Sequence, residues 1–451
     1  MIRDAWVAAL GLALGRLDAW ESRWPVQAIE PPTPQEREAL EALTERLTGN
    51  YPFFHSDYAG QMIKPPHPVA WAAYATAMAI NPNNHALDGG PPTARMELEV
   101  VADIAAMFGF SKHLGHLSAS GTIANLEALW VARELHPNKG IAVCENAHYT
   151  HNRVAGVLRM PVSPVASDAS GRLCVASLRD VLENGDIGTV VATPGTTGLG
   201  AVDPIAAVAD LCAEFGARLH VDAAYGGFFR LLAQREEPLV DAAAFDAISR
   251  ADSVVVDPHK HGLQPYGCGC VLFADPSVGR IYRHDSPYTY FTSDELHLGE
   301  ISLECSRAGA SAAALWTTLR AIPLSPEAGL GARLACGRRA AIAWAQAIES
   351  ESRLRLVQTP DTDIVVFATR CATSSETSRS SQAIFEAGMH EGEGAFYLAT
   401  YKMPSAMLAA RWSDFVADEP TTLVLRTVLM KPEHEAHWPR LHQRVIGALE
   451  D

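Results

Sequence analysis

Uninterrupted apolar sequence, positive charge and cysteine are all scarce in this chain of 451 residues. No uncharged apolar run approaches the ~18–20 residues that span a bilayer, so a membrane helix is not expected. The nearest approach, Ala5 to Gly15, has the length of a signal-peptide core. Asp4 stands beside Arg3 ahead of it and no small-residue cleavage site clearly follows, so it is expected to be mature sequence. Lys and Arg number 36 against 52 Asp and Glu, a net charge of −16. Such a chain offers no electrostatic footprint to a phosphate backbone or an anionic membrane, which excludes nucleic acid as a main partner. The eight cysteines are scattered rather than framed as in a small secreted scaffold. Cys268-Gly-Cys270 lies in an apolar stretch with no further cysteine nearby, so neither a zinc site nor another metal centre is expected. A reduced, cytoplasmic protein is the expectation.

What is present is ample material for a core. Apolar residues make up 48% and charged residues 20%, the profile of a folded globular chain long enough for two or three domains. Residues 1–60 read as an N-terminal helical arm with Pro-rich connections, in which Val7, Leu10, Leu14 and Leu17 form one helical stripe. Residues 61–320 alternate strand and helix patterns: strands at Ile141–Cys144, Thr189–Thr193, Leu219–Val221, Ser253–Val256 and Cys270–Phe273, with helical periodicity after His148 and over Ile205–Phe215. That alternation predicts an α/β domain with a mostly parallel sheet covered on both faces. Residues 321–451 predict a smaller α+β domain, with a helix over Ala328–Ile348 and strands at Asp363–Ala368, Ala395–Thr400 and Leu423–Leu429. The Ser/Thr-rich stretch Thr373–Ser381 reads as an exposed loop.

Open α/β sheets bind ligands beyond the carboxyl ends of their strands, and polar clusters stand at those ends here. Ser118-Ala-Ser-Gly-Thr122 opens a helix, which suits a phosphate cradle of free N–H groups or an ordinary N-cap. Asp222-Ala-Ala-Tyr-Gly-Gly227 places a carboxylate at a strand end, as a turn residue, a metal ligand or a partner for a cationic ring. Asp257-Pro-His-Lys260 places a lysine after a buried strand. Such a lysine is exposed, paired, or desolvated with a lowered pKa, and the last state suits condensation with a carbonyl. His148 has a flat ring able to stack on a planar cofactor or simply to hydrogen-bond.

In order along the chain, His148, Thr193-Pro-Gly-Thr-Thr197, His220-Val-Asp-Ala-Ala-Tyr225 and Asp257-Pro-His-Lys260 resemble the motif series of the group II pyridoxal-phosphate-dependent amino-acid decarboxylases, which have the fold-type I architecture with a mostly parallel, seven-stranded-type sheet. The resemblance covers about Gly60 to Leu319 and extends more weakly to Leu425-Arg-Thr-Val428. It implies pyridoxal 5′-phosphate held covalently by Lys260, with Asp222 at the pyridine nitrogen, His148 on one ring face and Ala224 against the other. It further implies Ser120, Gly121 and Thr122 at the phosphate, helped by His259, and Thr196 or Thr197 near the ring hydroxyl or the substrate carboxylate. Asn81, Asn84, His85, Thr197 and Arg426 are the candidate substrate contacts, with access past Tyr58, Met62 and Lys64. Tyr288, Tyr290 and His297 compete to return a proton to the substrate α-carbon.

The segment Glu304-Cys-Ser-Arg-Ala-Gly309 departs from animal members and is similar to the archaeal tyrosine/aspartate decarboxylases and to the sphingosine phosphate lyases. The expectation is a homodimeric decarboxylase of L-amino acids releasing carbon dioxide and an amine, with an aromatic substrate preferred to an acidic one. A carbon–carbon (aldehyde) lyase, an aminotransferase and a catalytically dead homologue are the alternatives. An intact Asp222 and Lys260 argue against the last.

Overall fold

A computed structural model describes residues 2–25, 29–283, 302–390 and 392–449. The larger of its two sheets contains β1 (Leu114–Ser118), β2 (Gly140–Cys144), β3 (Val162–Val165), β4 (Ile187–Ala192), β5 (Arg218–Asp222), β6 (Ser253–Val256) and β7 (Gly269–Phe273). Their order is β1-β7-β6-β5-β4-β2-β3. β7 runs antiparallel to both of its neighbours, and the remaining pairs are parallel. β2, β4, β6 and β7 are buried at every position, because helices cover both faces and leave no polar side to alternate with. The parallel arrangement brings the carboxyl ends of β1, β2, β4, β5 and β6 to one edge of the sheet. The polar clusters of the sequence stand there.

The smaller sheet is antiparallel, in the order β10-β11-β9-β8. Its strands are β8 (Leu354–Leu356), β9 (Ile364–Thr369), β10 (Ala399–Pro404) and β11 (Thr421–Val428). Two sequence expectations for this region are corrected. Thr373–Ser381 is not a loop: Ser374–Gly388 is a helix capped by the Thr373 hydroxyl, which accepts from Glu376 N–H at 3.2 Å. Its Ser374, Thr377 and Ser381 are fully buried, small enough for the helix to lie close on β11. The strand expected at Ala395–Thr400 begins only at Ala399; Tyr397 makes an isolated bridge to Tyr58 instead. β1, β3 and β8 were not anticipated, being short and weakly patterned.

At the N-terminus, Ile2–Glu21 is a helix lying against the helix Pro68–Ile80. Leu10, Leu14 and Leu17 are half-buried, while Val7 is 61% exposed and leaves the expected stripe. The following helix, Pro34–Leu47, has a capping box between Thr33 and Glu36 but no buried residue.

The ends of β4 and β5 approach so closely that one position tolerates no side chain. A Cβ on Gly226 would lie 1.5 Å from the Pro194 carbonyl oxygen. Gly226 has an ordinary φ of −85°, so the requirement is for space and not for an unusual dihedral. Gly226→Ala is therefore expected to lower stability by about 3 kcal/mol or more, at the upper end for overpacking. Chemical denaturation would show it, and a midpoint equal to the parent's would contradict the close approach.

Candidate active site

At the common strand edge, five loops close around one cavity. After β1, Ser120 caps the helix Gly121–Leu135, its hydroxyl accepting from Ile123 N–H at 3.3 Å, so the N–H groups of the first turn open toward the cavity. Gly269, at the start of β7, permits this placement: a Cβ there would lie 2.7 Å from the Ser120 carbonyl carbon. After β2, His148 lines the cavity half-buried, its Nδ1 accepting from Thr150 N–H at 3.2 Å. After β4 come Thr193, Gly195 and Thr197; after β5, Asp222 and Ala224; after β6, Asp257, His259 and Lys260. Thr193 Oγ1 and Asp257 Oδ1 are buried at the cavity wall without hydrogen-bond partners among the described residues.

The charges in this cavity set one another. Burial alone would raise the Asp222 carboxyl, but the hydrogen bond from His151 Nε2 at 2.9 Å and the charges of His151 and Lys260 outweigh it and hold Asp222 well below the usual carboxylate range. Burial likewise would lower the Lys260 ammonium, yet Asp257, 2.9 Å away, and Asp222 prevail and hold it above its ordinary value. Of the states left open by the sequence, this is the paired one: two carboxylates override desolvation. His148 is lowered by burial, so its ring is neutral near pH 7. His259 is also lowered by burial, and its Nδ1 lies 2.8 Å from the Cys268 carbonyl oxygen. With that hydrogen committed, His259 reaches an anion as a donor only if protonated.

Other sequence candidates lie elsewhere. Thr196 is buried with its hydroxyl accepting from Ala201 N–H at 3.1 Å, bracing the loop while Thr197 lines the cavity. Asn84 is buried in a separate network, donating to Glu97 Oε2 at 2.6 Å and accepting from the Thr93 hydroxyl. Arg307 of the Glu304–Gly309 segment belongs to that network too, paired with Glu97 and donating to the Asn84 carbonyl at 2.9 Å. Asn81 ends the helix Pro68–Ile80 in the left-handed conformation, and neither it nor His85 lines the cavity. Arg426, on β11, does come near: its Nε donates to the Gly198 carbonyl at 3.2 Å, next to Thr197, and its Nη2 is buried without a partner among the described residues. Tyr288, Tyr290 and His297 lie outside the described residues. His151 and Asp257 were not given roles from sequence; the three-residue spacing from His148, one helical turn, was the available signal for His151. No group of three or more His, Cys, Asp or Glu among the described residues could hold a metal ion.

Comparison with known proteins agrees with this geometry. The family model for the pyridoxal-dependent decarboxylase conserved domain matches residues 61–370. A probable L-aspartate decarboxylase of Halobacterium salinarum is 33% identical over 263 residues, covering 58% of this chain and 70% of the relative. An L-tyrosine decarboxylase of Enterococcus faecium is 31% identical over 389 residues, covering 64% of this chain and 63% of the relative. The solved structure of Oryza sativa TDC with PLP and tryptamine superposes with a TM-score of 0.79 at 19% identity, covering 99% of this chain and 96% of that one.

The residues present suit pyridoxal phosphate. An open helix N-terminus at Ser120–Thr122 would hold its phosphate, the ionised Asp222 its ring nitrogen, and Lys260 its aldehyde, with His148 and Ala224 lining the space for the ring. The two unpartnered polar atoms at the wall, Thr193 Oγ1 and Asp257 Oδ1, are what a polar ligand leaves when it is absent. Lys260 must give up a proton before its nitrogen can attack a carbonyl, and Asp257 Oδ2 is the adjacent acceptor. Borohydride reduction of the loaded protein is expected to fix the cofactor to the peptide containing Asp257–Lys260, as peptide mass spectrometry would read. Label on Lys112 or Lys431 would contradict the assignment.

Proposed function

Because the chain belongs to the pyridoxal-dependent decarboxylase family and is thus an amino-acid carboxy-lyase using pyridoxal phosphate, we propose that its substrate is an aromatic L-amino acid and that it works as a cytoplasmic homodimer. The bound cofactor supplies the electron sink that lets the bond to the carboxylate break. The protein's residues supply the rest. Asp222 keeps a proton on the ring nitrogen, the Ser120–Thr122 turn anchors the phosphate, and His148 restrains the ring. The observation that carries the substrate orientation is Arg426, whose unpartnered Nη2 beside the Thr197 loop is suited to the substrate carboxylate. Return of a proton to the α-carbon is assigned to Tyr288, Tyr290 or His297.

The choice of an aromatic over an acidic side chain is supported by two rings that stand next to cavity-lining histidines without lining the cavity themselves. Tyr149, 58% exposed, stands beside His148 with ring centroids 4.3 Å apart, and Tyr266, also 58% exposed, stands 4.8 Å from the His259 ring. Lys64, the cation best placed by sequence for an acidic side chain, is turned to the Met430 carbonyl at 3.1 Å, and burial lowers it to about 8. Incubation with each of the twenty amino acids should release amine fastest from tyrosine, tryptophan, phenylalanine or a hydroxylated relative. Faster release from aspartate or glutamate would reverse the choice, and aldehyde or keto-acid products would favour the lyase or aminotransferase alternatives. Arg426→Gln is expected to raise KM by about tenfold or more, the worth of a charge-assisted hydrogen bond, without loosening the cofactor. Unchanged KM would remove Arg426 from the substrate site.

The homodimer rests on uncovered apolar surface. Leu40, Leu43 and Leu47 form a stripe along the helix Pro34–Leu47 and are 60%, 52% and 57% exposed. A helix of 14 residues with no buried side chain gains little from propensity alone and needs a covering surface. A second copy provides one. All eight cysteines are unbonded, in keeping with a reducing compartment. Leu43→Glu is expected to convert a dimer to a monomer in light scattering without unfolding it, since the site is exposed. A variant that stays dimeric would place the interface elsewhere.

A further inference from the structure

We propose that His151 is a positioning residue for this reaction, holding Asp222 in the single orientation and ionisation state that keep a proton on the ring nitrogen of bound pyridoxal phosphate. The inference rests on the cofactor reading given above and adds a residue to it. His151 lies in the first turn of the helix Thr150–Leu158, and its N–H donates to the His148 carbonyl at 3.2 Å. The side chain is fully buried, with Nε2 2.9 Å from Asp222 Oδ2. An ionised carboxylate only accepts, so Nε2 carries the hydrogen. The other nitrogen, Nδ1, is buried without a partner among the described residues. Ala224 N–H donates to the second oxygen, Asp222 Oδ1, at 3.2 Å. Each oxygen therefore has one protein donor, and the carboxylate still lines the cavity with accepting capacity to spare.

The other groups near this pair do not replace His151. His220, on β5, has its ring 6.3 Å away and is engaged by Asn125 at 2.8 Å and Ser253 at 2.9 Å. His148 accepts from Thr150, and Lys260 is paired with Asp257. Lys260 acts on Asp222 through charge without a hydrogen bond to it, whereas His151 is the side chain that donates one. Without that donor the carboxylate would be held only by the Ala224 N–H and would take up a proton more readily in its buried setting. A carboxyl that is protonated or turned away cannot hold a proton on the ring nitrogen.

The test compares the parent with His151→Phe, which keeps the ring volume and removes the donor, and His151→Gln, which returns a donor near the position of Nε2. Each is loaded with pyridoxal phosphate labelled with nitrogen-15 in the ring, and melting temperature, cofactor affinity, kcat and KM are measured alongside. In His151→Phe the ring-nitrogen resonance should move toward its unprotonated position. Cofactor affinity should weaken by about tenfold, as expected for a lost hydrogen bond to a charged group, and kcat should fall by more than KM changes. His151→Gln should restore most of both. A parent-like resonance and affinity in His151→Phe would overturn the proposal. So would equal losses in both variants accompanied by equal drops in melting temperature, which would make His151 a core residue only. Should His151→Phe not fold, His151→Met lacks the donor and carries the same comparison. A parent protein that takes up no pyridoxal phosphate would overturn the cofactor reading itself.

Discussion

A carboxylate buried at the end of β5 is the constraint around which this molecule is arranged. Asp222 is only 5% exposed, and a lone ionised carboxylate at such a site is strongly disfavoured. Its compensation comes from separate parts of the chain: His151 from the helix after β2, the Ala224 N–H from its own turn, and the charge of Lys260 from the loop after β6. Each depends on the parallel order of β2, β4, β5 and β6, because only strands running the same way deliver their carboxyl ends to one place. The same logic makes Lys260 and Asp257 partners at 2.9 Å, and the two nearby carboxylates hold the lysine above its ordinary value.

The segment ahead of β9, together with β11, grips one loop of the site. Asp361 accepts from Val202 N–H at 3.0 Å and pairs with Arg172, while the Thr362 hydroxyl donates to the Gly200 carbonyl at 3.2 Å. Tyr225, which lines the cavity, donates its hydroxyl to Asp363. The Thr193–Asp203 loop is thereby held from the far side, with Arg426 reaching its Gly198 carbonyl. Glycine is required where these backbones meet: a Cβ on Gly198 would lie 2.5 Å from the Tyr401 ring. Cavity shape and substrate orientation thus depend on contacts between segments more than 150 residues apart in sequence.

Much of this arrangement was legible without coordinates. Short apolar runs ended by Asp222, by Asp257-Pro258 and by Thr193-Pro194 declare strands that stop at polar turns, since a carboxylate or a proline cannot continue a buried parallel strand. The hidden part consisted of elements whose local pattern misleads. Thr373–Ser381 looks like a solvated loop because hydroxyl residues favour loops, yet small hydroxyls also let a helix lie flat on a sheet. Asn84 and Arg307, with polar side chains that suggest a binding site, are consumed in satisfying the buried Glu97.

From the sequence alone came most strands of the larger sheet and, through the family resemblance its motifs carry, the cofactor. Tertiary structure alone decided which partners set the charge of Lys260 and Asp222. Lys260 sits above its ordinary value and not below it because Asp257 and Asp222 both approach it, and proximity between residues 222, 257 and 260 is a property of the sheet. It also decided that His151 touches Asp222 across 71 positions of chain while Thr196 and His85 do not line the cavity. Periodicity reports which face of an element is buried; which side chains then meet is settled only when the elements are packed against one another.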